Sequence, residues 1–349
     1  MRTELRGLTG IRAFAAIGVV LYHLIGQYPH IIRRDSPLVR ALEFGSNGVD
    51  LFFILSGFII AYSYAHEFQI FSWTTYGRFL YKRLARIYPA HLFALCLLVP
   101  LGVALILAGR DFLKDSPIID FFQQALMINT WNLWHKSLTW NTPDWSISAE
   151  WAAYLLFPFF LTVVRWLPRR LLPALTSLLL LAMVLSYRLE LANFDGQIRI
   201  MTEFPCGIAL FYIWQHLRPS ATWSRVGLIC AALYVPIGVL LGITEINVRW
   251  EVLLVPPLLL SLALNIGPVA RALSRPLPEY LGRVSYSLYI THFIVIISSR
   301  FIFRNARVED SPPVSLAFTA MEVLIIYLLA RFTYHFVEEP ARKWLARKI

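Results

Sequence analysis

Charged residues are scarce in this chain: Asp, Glu, Lys and Arg make up 15% of its 349 residues, where soluble domains carry about a quarter. That deficit, beside 58% hydrophobic residues, excludes an ordinary soluble fold and a disordered chain alike. Long polar stretches are also missing. Apolar runs recur from residue 8 to residue 336 with no gap wide enough for a separate soluble domain. Cys96, Cys206 and Cys230 are the only cysteines, and they lie in apolar runs without paired or ligand-like spacing. A disulfide framework and a structural metal centre are therefore not expected. The sequence holds no P-loop, dinucleotide fingerprint, nucleophile elbow or metal-binding spacing, and no internal repeat. The net charge is +11, but the basic residues punctuate apolar segments instead of gathering on a soluble face, so no nucleic-acid partner is expected.

What is present reads as an all-α polytopic integral membrane protein, a single domain over 1–349, with about ten transmembrane helices around an intramembrane active-site cavity. The expected spans lie near 8–27, 48–65, 84–108, 147–165, 171–187, 201–216, 224–242, 250–267, 284–303 and 314–336. The first has a basic start but no small-residue cleavage site, so it reads as a retained helix and not a signal peptide. With the N-terminus inside, 18 Lys and Arg residues fall in the cytoplasmic loops against 11 in the opposite ones, which places both termini in the cytoplasm. The larger polar excursions, 28–47 and 109–146, then lie outside as a possible acceptor-binding rim. Within the second, 118–134 can form an interfacial or re-entrant helix.

Several polar groups interrupt the apolar segments, and each needs a reason to be there. Arg12 and His23 are eleven residues apart in the first span. At 100° per residue they share one helix face, about 16 Å apart along the axis. That layout suits a long substrate entering from the cytoplasm and reacting deeper in, although a snorkelling arginine and a capping histidine give the same pattern. Asp50, at the outer end of the second span, matches the depth of His23 and can orient its ring, cap its own helix or pair with Arg40. Ser56 and Gly57 allow a close helix contact there. Arg83 and Arg86 are one turn apart at the level of Arg12, as a phosphate pocket or as topology signals. Glu150 and Tyr154 share a face near Trp145 and Trp151, a sugar-stacking surface or an interfacial aromatic belt. Ser285, Tyr289 and His292 follow one side of the ninth span, where His292 is either structural or reactive. Glu338 can pair with a cytoplasmic arginine, and Pro340 is expected to stop the last helix. A histidine base with an arginine cluster and no nucleophile of its own suits direct transfer to an acceptor hydroxyl.

These stretches in this order resemble the acyltransferase-3 family of polytopic membrane O-acyltransferases over nearly the whole chain. They are Arg12 with His23, Asp50 through Phe58, Arg83 through Pro89, Trp145 through Glu150 with Tyr154, Gly282 through His292, and Glu338 through Pro340. The resemblance implies transfer of an acyl group, usually acetyl, from cytoplasmic acyl-CoA to a sugar hydroxyl of a cell-envelope or exported glycan or glycolipid. It also implies a bacterial inner membrane, His23 as catalytic residue and Arg12 near the donor. Some relatives carry an extra periplasmic esterase-like domain. The chain ends shortly after the tenth expected span, so it is expected either to deliver the group itself or to hand it to a separate periplasmic transferase. His23, Asp50, Glu150 and His292 are the catalytic candidates. Arg12, Arg83, Arg86 and Tyr289 are the donor-binding candidates, Tyr289 and His292 also being able to stabilise an oxyanion, and no metal is expected. A proton-coupled transporter of an anionic solute, using the same buried His, Asp and Arg groups, is the rival reading.

Overall fold

A computed structural model describes residues 4–25, 36–131, 139–188, 195–244, 249–306 and 312–347. Every regular element among them is helical: α1 (Arg6–Ile25), α2 (Pro37–Glu43), α3 (Gly48–Tyr64), α4 (Trp73–Leu107), α5 (Phe112–Asp115), α6 (Ile118–Ala125), α7 (Trp145–Trp166), α8 (Leu172–Arg188), α9 (Asp195–Trp214), α10 (Ala221–Ile243), α11 (Val255–Ala263), α12 (Gly267–Leu273), α13 (Pro276–Ala306), α14 (Pro312–Thr333) and α15 (Glu339–Ala346). The chain is a polytopic membrane protein. Among the described residues, eight segments are long and apolar enough to cross a bilayer, and α11 with α12 and the turn before them form a ninth, bent by 78°. The expected span at 201–216 corresponds to α9, whose 20 residues suffice for a crossing but which carries Arg199 and Glu203 inward and is not one of the nine.

Local sequence explains how these helices meet lipid. On α1, Phe14, Ile17 and Leu21 are exposed and lie between about 140° and 200° around the helix from Arg12. The lipid stripe is therefore opposite the face that carries Arg12 and His23. Prolines sit inside α4, α7, α9 and α10, as membrane helices tolerate.

The residues group into two units. The first comprises 1–22, 40–76 and 153–285, and its centre is the crossing of α3 and α9. A Cβ on Gly57 would run into the Phe204 carbonyl, and one on Gly207 into the Ile54 carbonyl, so the two backbones touch, as small residues at a membrane helix crossing permit. Phe58, Phe157 and Phe204 fill the space around it and are fully buried.

The second unit comprises 23–39, 77–152 and 286–349. Residues 28–35 and 132–138 of the expected outer rim lie outside the described residues. The described part of 109–146 turns much of its polarity inward: Asp120, Gln124, Asn129, Asn141 and Asp144 are all buried. Thr139 donates to Asp120 at 2.9 Å, and Trp140 Nε1 donates to the Pro117 carbonyl at 3.0 Å. Of the helix considered at 118–134, α6 keeps eight residues.

Pro340 does not stop the last helix. It occupies an early position of α15, just after a π-turn at Tyr334–Glu338. A proline lacks the N–H that an α-helix interior needs, but the first turn of a helix can accept it.

Candidate functional site

Several polar side chains of α13 are held by their own helix. Ser285, Thr291 and Ser298 donate to carbonyls three or four residues earlier, at 2.8, 2.7 and 2.8 Å. A membrane helix can carry such groups because their hydrogen bonds are made locally. His292 follows the same rule. Its Nδ1 lies 2.7 Å from the Tyr289 carbonyl oxygen.

His292 is completely buried, and its Nε2 lies 3.2 Å from Nδ1 of His23, in the last turn of α1. The two rings are 5.0 Å apart and tilted by 51°. Phe293 packs edge-on to His23 at 5.6 Å. The structure thus brings together two of the four catalytic candidates. Tyr289 supports the pair through its carbonyl, while its hydroxyl donates to the Pro143 carbonyl at 3.0 Å and lies 2.7 Å from Ser146 Oγ.

Asp50 belongs to the first unit, in the first turn of α3, and is completely buried. Its Oδ1 accepts from Nε of Arg199 at 2.9 Å and lies 2.9 Å from Nη2 of the same residue; its Oδ2 accepts from Arg249 at 2.8 Å. Glu203, one turn beyond Arg199 on α9, is also fully buried, and Asn47 donates to the buried Glu251. The result is a network of charges inside a membrane helix bundle, viable only because each Asp50 oxygen meets a guanidinium.

Arg12 is half-buried on α1 in the first unit, and Arg83 and Arg86 are half-buried on α4 in the second. Arg86 faces Glu338, Nη1 to Oε1 at 3.3 Å, and Ser287 donates to the other Glu338 oxygen at 2.6 Å. The expected pairing of Glu338 with an arginine is present. Glu150 is half-buried in the second turn of α7. In the first unit, Ser56 Oγ and Tyr154 Oη are 3.5 Å apart.

A second buried histidine was not singled out by the sequence. His91 on α4 has Nδ1 2.9 Å from Asp144 Oδ1 and Nε2 2.9 Å from the Gln124 carbonyl oxygen. Arg199 and Glu203 were also missed. Their signal was an i, i+4 charge pair on one face of an apolar run. His91 had no such signal, being one histidine in a long apolar helix.

The first unit also has an open cavity of about 480 Å³ lined by Tyr62, His66, Arg165, Phe211, Trp214 and neighbours. Arg165 donates to the Phe68 and Gln69 carbonyls at its edge, at 3.4 and 3.3 Å. The helices α3, α7 and α9 end near it, and helix C-termini disfavour anions, so it is a poor phosphate cradle.

Among known proteins, an acyltransferase domain profile matches residues 5–331. O-acetyltransferase OatA of Staphylococcus aureus strain NCTC 8325 is 25% identical over 377 aligned residues, covering 97% of this chain and 57% of OatA. Acyltransferase MdmB of Streptomyces mycarofaciens is 26% identical over 385 residues, covering 99% of this chain and 93% of MdmB. The chain spans little more than half the length of the OatA relatives. No solved structure matches it. Since the profile takes in nearly every helix described above, from α1 through α14, the chain belongs to the acyltransferase-3 family.

Proposed function

We propose that the protein is a membrane O-acyltransferase that moves an acyl group, most simply acetyl, from cytoplasmic acyl-CoA to a sugar hydroxyl of a cell-envelope or exported glycan. Its setting is a bacterial cytoplasmic membrane, with both termini inside. The observation that carries this reading is His23, half-buried on α1 and within hydrogen-bond reach of His292, in a chain whose relatives include an O-acetyltransferase and an acyltransferase.

In the proposed step the acceptor hydroxyl gives its proton to His23 as its oxygen bonds to the thioester carbonyl carbon. The carbon–sulfur bond then breaks, and the CoA thiolate leaves and is protonated from His23. Thiolate is a good leaving group, so positioning and base placement carry most of the task. Arg12, Arg83 and Arg86 are assigned to the phosphates of the donor, where planar guanidinium groups can make paired charge-assisted bonds. In that role Arg86 would share its charge between Glu338 and the donor. The transporter reading rests on buried charges alone, and those of Asp50 are balanced by two arginines.

The test is His23→Ala in detergent-purified protein, with acetyl-CoA as donor and thiol release as readout. Turnover should fall about 1,000-fold, with calorimetric CoA affinity retained. Turnover within twofold of wild type would refute the base assignment.

A further inference from the structure

We infer that His292 is a positioning residue which fixes the tautomer of His23 and thereby puts the reactive lone pair on His23 Nε2. The inference rests on the reading of His23 as the base and adds how that base is prepared.

The argument runs along one chain of hydrogen bonds. The Tyr289 carbonyl can only accept, so the nitrogen 2.7 Å from it, His292 Nδ1, carries a hydrogen. A ring with one proton then has its lone pair on Nε2. That nitrogen faces His23 Nδ1 at 3.2 Å, and a hydrogen bond between two nitrogens needs one donor. His23 Nδ1 must therefore carry its hydrogen, and with one proton on that ring too, the lone pair of His23 is on Nε2. A single backbone carbonyl, two rings away, thus decides which nitrogen of His23 is basic. Burial supports the assignment, because His292 is fully buried, where a second, uncompensated proton would be costly.

The same bond also answers the developing charge. When His23 Nε2 takes the acceptor's proton, Nδ1–H still points at the neutral nitrogen of His292, and the bond becomes charge-assisted. An interaction that strengthens as the proton moves lowers the barrier without tightening substrate binding. A carboxylate in that place would bind the charged ring more strongly. An imidazole fixes direction while adding no net charge inside the membrane.

Two variants separate this role from simple packing. His292→Leu fills the site with an apolar side chain and removes the acceptor, and His292→Gln can offer its amide oxygen where Nε2 stood. With detergent-purified full-length protein, acetyl-CoA as donor and water as the stand-in acceptor, His292→Leu should lower kcat by roughly 10- to 100-fold with KM for acetyl-CoA within about twofold. His292→Gln should recover most of that loss. Wild-type kcat in His292→Leu, or Gln performing no better than Leu while both bind CoA normally, would overturn the inference. If His23→Ala retains activity, the base reading fails; if His23→Ala is inactive and His292→Leu is fully active, only the tautomer inference fails.

Discussion

His91 and His292 are both buried histidines of the second unit, each on a long helix and each with one ring nitrogen on a backbone carbonyl. What meets the other nitrogen separates them. For His91 it is the Asp144 carboxylate at 2.9 Å, so both nitrogens face acceptors. That ring is tied at two points, and it anchors the segment before α7 to α4. For His292 the second nitrogen meets another imidazole, which leaves the pair able to take up a proton and polarise. The same residue type is a tie in one place and, in the proposed reading, part of a reactive pair in the other, and the partner's chemistry decides which.

The comparison can be broken most severely at the tie. Asp144→Ala leaves His91 without its carboxylate in a fully buried position and should destabilise the protein by about 3 kcal/mol, read as a lower unfolding temperature in detergent, with activity per folded molecule preserved. A change confined to activity would place His91 among the reacting groups instead. His292→Leu sharpens the contrast from the other side. It loses two neutral hydrogen bonds, to the Tyr289 carbonyl and to His23, so the stability cost should be about 2 kcal/mol, a smaller fall in unfolding temperature than at the tie, although turnover drops. The smallest effect is expected for Ser146→Ala, which removes a hydroxyl between Tyr289 and Pro143 while the Tyr289 bond to the Pro143 carbonyl remains. A loss of about 0.5–1 kcal/mol with near-normal kcat is expected; a large fall in kcat would mean that the Tyr289 hydroxyl has a role in the reaction.

Much of the helical scaffold was readable because lipid enforces a simple rule, about 20 apolar residues per crossing. Each of the ten expected spans has a helical counterpart, and the shared face of Arg12 and His23 follows from helix geometry alone. The close contact expected at Gly57 is present because only a missing side chain lets α3 and α9 touch. Partners distant in sequence were not readable. Arg199 and Arg249 reach Asp50 across 149 and 199 residues, and nothing in the local pattern of α3 distinguishes them from Arg40. Asp144 was hidden for another reason. It sits in a polar excursion that composition assigns to the solvent side, whereas the structure folds that segment's carboxylates and amides inward.

The π-turn at Tyr334–Glu338 has a consequence for how this chain tolerates insertions and deletions. Glu338 and Glu339 are neighbours, yet Glu338 is buried against Arg86 and Ser287, and Glu339 pairs with Lys343 at 2.9 Å on the outer side of α15. A π-turn accommodates one residue more than an α-helical turn of the same rise. Deleting one residue there would restore regular winding and rotate everything beyond it by about 100°. The helix would keep its length and apolarity, and the bilayer would accept it unchanged. Either Glu338 would lose Arg86, or the exposed side of α15 would turn inward. The length of this helix end is thus constrained to the single residue by one buried carboxylate, although hydrophobicity alone would let it vary freely.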